Sequence, residues 1–535
     1  MPSKKRKTLV LLLYIPIIFW SQNKYTDDWD SLKNYQAPEW YEDAKLGFWV
    51  HWGVYSVPAF KGDHAAEWYG RWMYSKEGQS SRDNQGLATF KHHKKIYGNP
   101  DKFGYKDLIP FFKAEKFDAN NWAELCVKGG AKFFTMMGVH HDSFCLWDTE
   151  LSPWNSVDMG PKKDLVGLVE KAVRKKGLKF GVSNHSAWNY TFFQWNHINR
   201  FDAIDKGNED LYGNPIIEKG MDTIQIKPNE SRRNWLKRSR WDSVKPSERD
   251  LDRWLVRTKE LAQLYTPDLY YFDWGFNIKE FETRRKEFGA FYYNLALESN
   301  NGVFGKPNVV LNYKNHHTFP KGSAIRDFER SGYDQIADMV WQTDDCVYDD
   351  HNWGYAENIP IKSTNIIVDE LVDIVSKRGV LMLSFAPKAD GTIPDDQKKL
   401  IFELGNWLKI CGEAIYNTRP FETFGEISSN WGKKDDSGKK RFIGTKEDIR
   451  FTRSKDYKNI YATFLDWPRK KAVIKSLKDF NDKNIKSIKL IGNDTPLKWK
   501  MSKQKGLIVY LPKKPNYEMA FPLKITLHKS LRKIY

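Results

Sequence analysis

The chain of 535 residues has only four cysteines, Cys126, Cys145, Cys346 and Cys411, widely spaced and with no CxxC pair. That scarcity excludes a disulfide-stapled scaffold and gives no support to a thiol mechanism. Metal-binding signatures are missing too, since neither HExxH nor HxH occurs. Gly160-Pro161-Lys162-Lys163-Asp164 lacks the spacing of a phosphate loop and reads as a turn that opens a helix. There is no low-complexity tract, no internal repeat and no recognisable nucleic-acid-reading motif. Long apolar runs are nearly absent. The one run, Leu9 to Trp20, follows the charged head Lys4, Lys5, Arg6 and Lys7. It falls short of the roughly 20 residues a membrane span needs, so residues 1–22 are expected to be a secretory signal and the protein to be secreted or periplasmic. No cysteine follows the run to carry a lipid.

What is present is globular: 40% hydrophobic and 15% aromatic residues, in a chain too long for one compact core. The net charge of +18 is unevenly spread. From Phe421 to the C-terminus there are 28 Lys and Arg against 12 Asp and Glu, so a near-neutral body carries a basic appendage. A solvated lysine-rich surface accounts for such an excess most simply; the sharper expectation is a face for an anionic polymer such as a sulfated polysaccharide.

Between Leu46 and about Thr418, short strand-like runs alternate with helix-like segments, the pattern of a parallel α/β fold. Candidate strands end near His51, His140-His141, His185, Asp273, Asn312, Glu329 and Gln342. Seven or eight such units predict a (β/α)8-type barrel over residues 23–420. Ile367, Leu371, Ile374 and Val375 make one helical stripe, with Gly379 expected to end it. A second helix is expected to open near Thr392 and Pro394 and to bury Cys411 with Leu400, Leu404, Trp407 and Leu408. After Pro420 the pattern becomes short β-type runs separated by Lys, Asn, Gly and Pro clusters, predicting an all-β sandwich over 421–535.

The C-terminal strand ends of such a barrel form its active face. The polar groups collected there are His51, His140, His141, His185, Asp273, Asn312, Lys314, Glu329 and Gln342, among Trp52, Trp68, Trp147, Trp274 and Trp341. Asp273, enclosed by Phe272 and Trp274, is costly to bury as a spectator. Neutral donors mixed with flat rings suit a hydroxyl-rich sugar. Asp273 and Glu329 could flank a glycosidic bond, one attacking the anomeric carbon and the other protonating the leaving oxygen. Each histidine taken singly is more often a structural hydrogen bonder, and Trp52 and Trp147 could simply pack the barrel mouth. His140-His141-Asp142 could be ligands, but the spacing argues for no metal.

The segments FWVHWGVYSVPAF, EWYGRWM, HHDSFCLWDTELSPWNSVDMGPKKDLV, PDLYYFDWGF and the block from Trp353 to Pro394 resemble the α-L-fucosidases of glycoside hydrolase family 29. So does ELGNWLKICGEAIYNTRPF. The resemblance implies a retaining, exo-acting hydrolase that needs no cofactor, with Asp273 as nucleophile and His51, Glu67, Trp68, His140 and His141 holding the sugar. Glu329 is the chosen acid/base, with Asp327 and Asp344 as fallbacks; His185, Lys314 and Trp341 are added as substrate-binding residues. The chain departs from the family at Ser183-Asn184-His185, where many members have a Tyr-Tyr-Ser-like run, and at Asn312-Tyr313-Lys314, where they have Asn-Asp-Arg. It also has Trp341-Gln342-Thr343 where they have Trp-Glu-Thr. These departures keep open an α-L-galactosidase acting on sulfated algal galactan, and a non-catalytic carbohydrate-binding protein stands behind both. The expected partner is a fucose- or L-galactose-containing glycan, sulfated ones included. Nucleic acid and a membrane span are not expected, and no motif specifies an oligomeric state.

Overall fold

The computed structural model describes residues 24–77, 86–213, 245–315, 317–428 and 443–531. The expected export segment, residues 1–22, lies outside the described residues. No described helix is long and apolar enough to cross a membrane.

Eight parallel strands close into a barrel in sequence order. They are β1 (Leu46–Val50), β2 (Phe133–Val139), β3 (Lys179–Asn184), β4 (Leu269–Phe272), β5 (Val310–Tyr313), β6 (Ile325–Glu329), β7 (Trp341–Cys346) and β8 (Gly379–Phe385). β1, β2, β4 and β8 are buried at every position, because one face lines the barrel and the other lies under helices. The Gly160–Asp164 turn opens a helix as expected: Asp164 caps Leu165–Lys175, accepting from Gly167 N–H at 2.8 Å.

Two helix-end expectations need correction. The helix Thr364–Ser376 is ended by Arg378, which takes the left-handed conformation (φ 75°), while Gly379 begins β8. Glycine is required at 379 for closeness, since a Cβ there would lie 2.5 Å from Ile374 and 2.7 Å from the Trp341 ring. The later helix begins at Asp395 with Pro394 as its cap residue, and Thr392 instead bonds Asp390. Cys411 lies in that helix's buried face as expected, and all four cysteines are free and buried.

The C-terminal domain is a sandwich of two antiparallel sheets. The larger has the order β13-β16-β11-β10-β9, built from β9 (Thr418–Glu426), β10 (Ile449–Ser454), β11 (Asn459–Phe464), β13 (Ile485–Leu490) and β16 (Phe521–Leu527). The smaller has the order β12-β15-β14, from β12 (Lys471–Ile474), β14 (Trp499–Ser502) and β15 (Gly506–Tyr510). Phe451, Ile460, Leu523 and Ile525 from one sheet meet Ala472, Ile474, Leu507 and Val509 from the other. The expected boundary at 420/421 falls inside β9: Pro420, which looks like a breaker, sits on an edge strand beside a register shift.

Cations of the larger sheet dock on carboxylates of the barrel domain. Arg419 reaches Asp43 at 2.7 Å, Lys455 reaches Glu39 at 2.8 Å, and the fully buried Arg450 holds Asp373 at 2.6 Å. Asp373 keeps a second cation, Lys377 at 2.8 Å, so losing Arg450 removes a charge-assisted hydrogen bond of about 1.5–3 kcal/mol without leaving the carboxylate alone. Arg450→Ala is therefore expected to lower the unfolding free energy by about that amount in thermal and denaturant melts. A loss below about 1 kcal/mol would mean that the pair behaves like a surface contact.

Candidate active site

Alternation along β4 aims its residues. Tyr270 and Phe272 pack outward on Phe288 of the helix Glu282–Ser299, at 4.9 and 5.2 Å between ring centres, while Tyr271 points inward, its hydroxyl 3.2 Å from Asp344. Asp273 continues the inward set and is buried. The chain then turns at Gly275 (φ 108°), where a Cβ would fall 1.4 Å from Trp188, so only glycine fits. The turn lays Trp274 edge-on against Trp188 (4.2 Å) and roughly parallel to Trp68 (5.9 Å).

Four imidazoles surround Asp273. His185 Nδ1 lies 3.2 Å and His141 Nε2 3.5 Å from Asp273 Oδ2. His140 stacks on His185 at 5.0 Å, and His51 lies 5.7 Å from His185 with its Nδ1 2.9 Å from Ser384 Oγ. Burial pushes His51 and His140 well below the usual imidazole range and His141 down to about 3, so these rings are neutral. Nδ1–H of His141 donates to the His185 carbonyl at 2.7 Å, which leaves Nε2 as an acceptor facing a carboxylate. These two acceptors, 3.5 Å apart, have no proton between them, so a substrate hydroxyl can donate to either one. His140 Nδ1 and His185 Nε2 are also buried without a hydrogen-bond partner among the described residues.

Opposite the imidazoles stands Lys314, just after β5 and also buried. Its Nζ lies 3.1 Å from Asp273 Oδ1, 3.2 Å from Glu329 Oε2 and 2.9 Å from Asp344 Oδ2. Burial would strip the ammonium of its proton, but the three carboxylates hold it well above the usual lysine range. Burial alone would likewise raise Asp273; Lys314 and then the imidazoles overcome it and hold the carboxyl far below its usual range. Asp327 and Asp344, the fallback carboxylates, lie side by side inside the barrel, where burial and then their neighbouring negative charges push both upward. Of the three carboxylates on β6 and β7 considered for this role, Glu329 is the one that reaches the open side, with 40% of its side chain exposed. It ends β6 immediately before Arg330 (φ 50°), whose guanidinium is tied to Asp345 (3.0 Å) and to the Asp350 carbonyl (2.7 Å).

Glu67 and Trp68 come from the loop after β1. Glu67 Oε2 accepts the backbone N–H of Trp353 (3.1 Å) and Gly354 (2.9 Å), and burial raises its carboxyl to about 7. Trp68 lies 5.3 Å from His141. Trp341 is a correction. It starts β7 rather than ending it, packs against Phe328 and Tyr333 and donates to the Lys377 carbonyl, with no contact to the Asp273 cluster among the described residues. Gln342 is likewise a barrel-interior residue, held by Tyr41 and Asp327 at 2.5 and 2.8 Å. Asn312 is buried in mid-strand. Trp52 packs with Phe112 and Trp122, and Trp147 donates to Glu260, so both are scaffold. Trp353 was not anticipated: its ring lies 4.9 Å from His51 and 5.7 Å from Lys314 Nζ. The signal was Trp353-Gly354-Tyr355, seven residues beyond the end of β7 and so outside a search limited to strand ends.

Donor atoms of His51, His140 and His185, and of His141, His185 and Asp273, fall within 4.8 Å of one another, so either set could reach a metal ion. The Lys314 ammonium on the other oxygen of Asp273 opposes a second cation there.

The α-L-fucosidase family profile matches residues 16–413, and that of the α-L-fucosidase C-terminal domain matches 444–526. The rat tissue α-L-fucosidase is 29% identical over 514 residues, covering 94% of this chain and 92% of its own length. The Dictyostelium discoideum α-L-fucosidase is 29% identical over 433 residues, 79% of this chain and 80% of its own. A Thermotoga maritima α-fucosidase solved with a mechanism-based inhibitor superimposes with a TM-score of 0.70 at 29% identity, over 94% of this chain and 100% of that one. With the barrel, the sandwich and the buried aspartate among imidazoles all in place, the chain belongs to the α-L-fucosidases of glycoside hydrolase family 29.

Proposed function

We propose that the chain is a retaining, exo-acting α-L-fucosidase with Asp273 as nucleophile and Glu329 as acid/base. The observation that carries this reading is the shared ammonium. At 3.1 and 3.2 Å from one Lys314 nitrogen, the facing oxygens of Asp273 and Glu329 are at most about 6.3 Å apart, which suits direct attack and leaves little room for the intervening water of an inverting enzyme. In the first step an Asp273 oxygen bonds to the anomeric carbon, the glycosidic C–O bond breaks, and the Glu329 proton passes to the leaving oxygen. In the second, Glu329 takes a proton from water, the water oxygen attacks the same carbon, and the Asp273 ester is released with net retention.

Lys314 keeps Asp273 ionised before attack, and esterification leaves the ammonium with one carboxylate fewer to neutralise. The sugar hydroxyls are assigned to the open acceptor and donor positions of His140, His141 and His185, and its apolar face to Trp68, Trp274 and Trp353. Three carboxylates within 3.2 Å of the Lys314 ammonium compete with an additional substrate hydroxyl for its protons, which favours L-fucose over L-galactose.

Nitrophenyl α-L-fucoside turnover, measured beside the α-L-galactoside, tests the sugar; faster release from the galactoside overturns it. Asp273→Ala is expected to reduce turnover by about 10⁴-fold or more, with azide restoring part of it as the β-azide. Unchanged turnover removes the nucleophile assignment. Glu329→Ala should hurt poor leaving groups far more than nitrophenol, whereas an equal loss across leaving groups would place the acid/base elsewhere.

Lys314→Met removes the main force holding Asp273 ionised against burial, so the carboxyl rises. The acid limb of the pH profile of kcat/KM should then move to higher pH. An acid limb that stays in place would separate Lys314 from the ionisation of Asp273.

A further inference from the structure

The cations of the C-terminal sandwich differ in what faces them. On or beside the larger sheet, Arg419, Arg450, Lys455 and Lys524 pair with carboxylates of the barrel domain and Lys489 with Asp494, while Lys486 is exposed. The smaller sheet is different. Its register pairs Lys471 with Tyr510 and Lys500 with Ile508, and the Lys498 carbonyl accepts from Tyr510 N–H. The alternate residues Ala472, Ile474, Leu507 and Val509 face the sandwich core, so Lys471, Lys498, Lys500, Ile508 and Tyr510 share the outer face. The three lysines and Tyr510 are exposed, the Lys471 ammonium lies 5.6 Å from the Tyr510 ring centre, and none of the three lysines makes an ion pair among the described residues. No carboxylate lies on this face of the three strands.

We propose that this outer face is a binding platform for an anionic polysaccharide, with Tyr510 against a sugar ring and the lysines on sulfate or carboxylate groups. Like charges left unpaired side by side repel one another, and a polyanion relieves that repulsion. A flat ring between the cations suits the C–H face of a sugar. The choice of a glycan as occupant rests on membership of a glycan-hydrolysing family; the charge complementarity does not.

The test is retention of the full-length chain on dextran sulfate and on uncharged dextran, by affinity electrophoresis across a salt series. This readout needs no turnover, so it stands apart from the assignments of Asp273 and Glu329. Binding to dextran sulfate alone is expected, weakening as salt rises. Lys471→Gln/Lys498→Gln/Lys500→Gln should weaken it about tenfold, with an unchanged melting midpoint. Tyr510→Ala should weaken binding to dextran sulfate while leaving binding to polyphosphate unchanged. Control substitutions Lys94→Gln and Lys95→Gln on the barrel domain should have no effect. The proposal is overturned by no retention at low salt, by equal retention of the triple variant, or by tighter binding to duplex DNA or anionic vesicles than to dextran sulfate.

Discussion

A single ammonium organises the active face. Lys314 would be costly to bury alone, and Asp273, Glu329 and Asp344 would repel one another without it. Together they form a cluster whose members are tenable only in each other's company. Because the lysine touches both proposed catalytic carboxylates, it sets their separation as well as the ionisation of one of them. The upward push on Asp327 and Asp344 belongs to the same balance, since a further full negative charge beneath Lys314 would draw the ammonium away from the site.

The surrounding structure fixes that cluster. Glu329 is aimed by the left-handed turn at Arg330 and its tie to Asp345 on the neighbouring strand. Asp273 is aimed by the inward register of β4 and by Gly275, which lets Trp188 close behind it. Glu67 reaches across from the loop after β1 to hold the backbone at Trp353 and Gly354, so loops following the first and seventh strands meet over the histidines. Each of these arrangements joins segments distant in sequence, which is why the site needs the barrel closed.

Much of this was legible beforehand. Barrel and sandwich follow from the alternation of apolar runs, and His51, His140, His141, His185 and Asp273 follow from one rule, that chemistry gathers where parallel strands end. The same rule misplaced Trp341 and Gln342, because an apolar run does not reveal which end of the strand a residue occupies. It passed over Trp353, whose position is set by tertiary contact with Glu67. The sequence reading put Glu329 ahead of Asp327 and Asp344, but the physical reason for that order could not be read there. They differ in burial and in partners, which are properties of the closed barrel rather than of local pattern.

The four thiols invite a different thought. Each is buried, and burial pushes all four thiols well above the usual cysteine range, so little of the reactive thiolate exists at neutral pH. Oxidants meeting the folded chain therefore find the sulfurs out of reach, and any bond between two of them would have to form before the surrounding elements close.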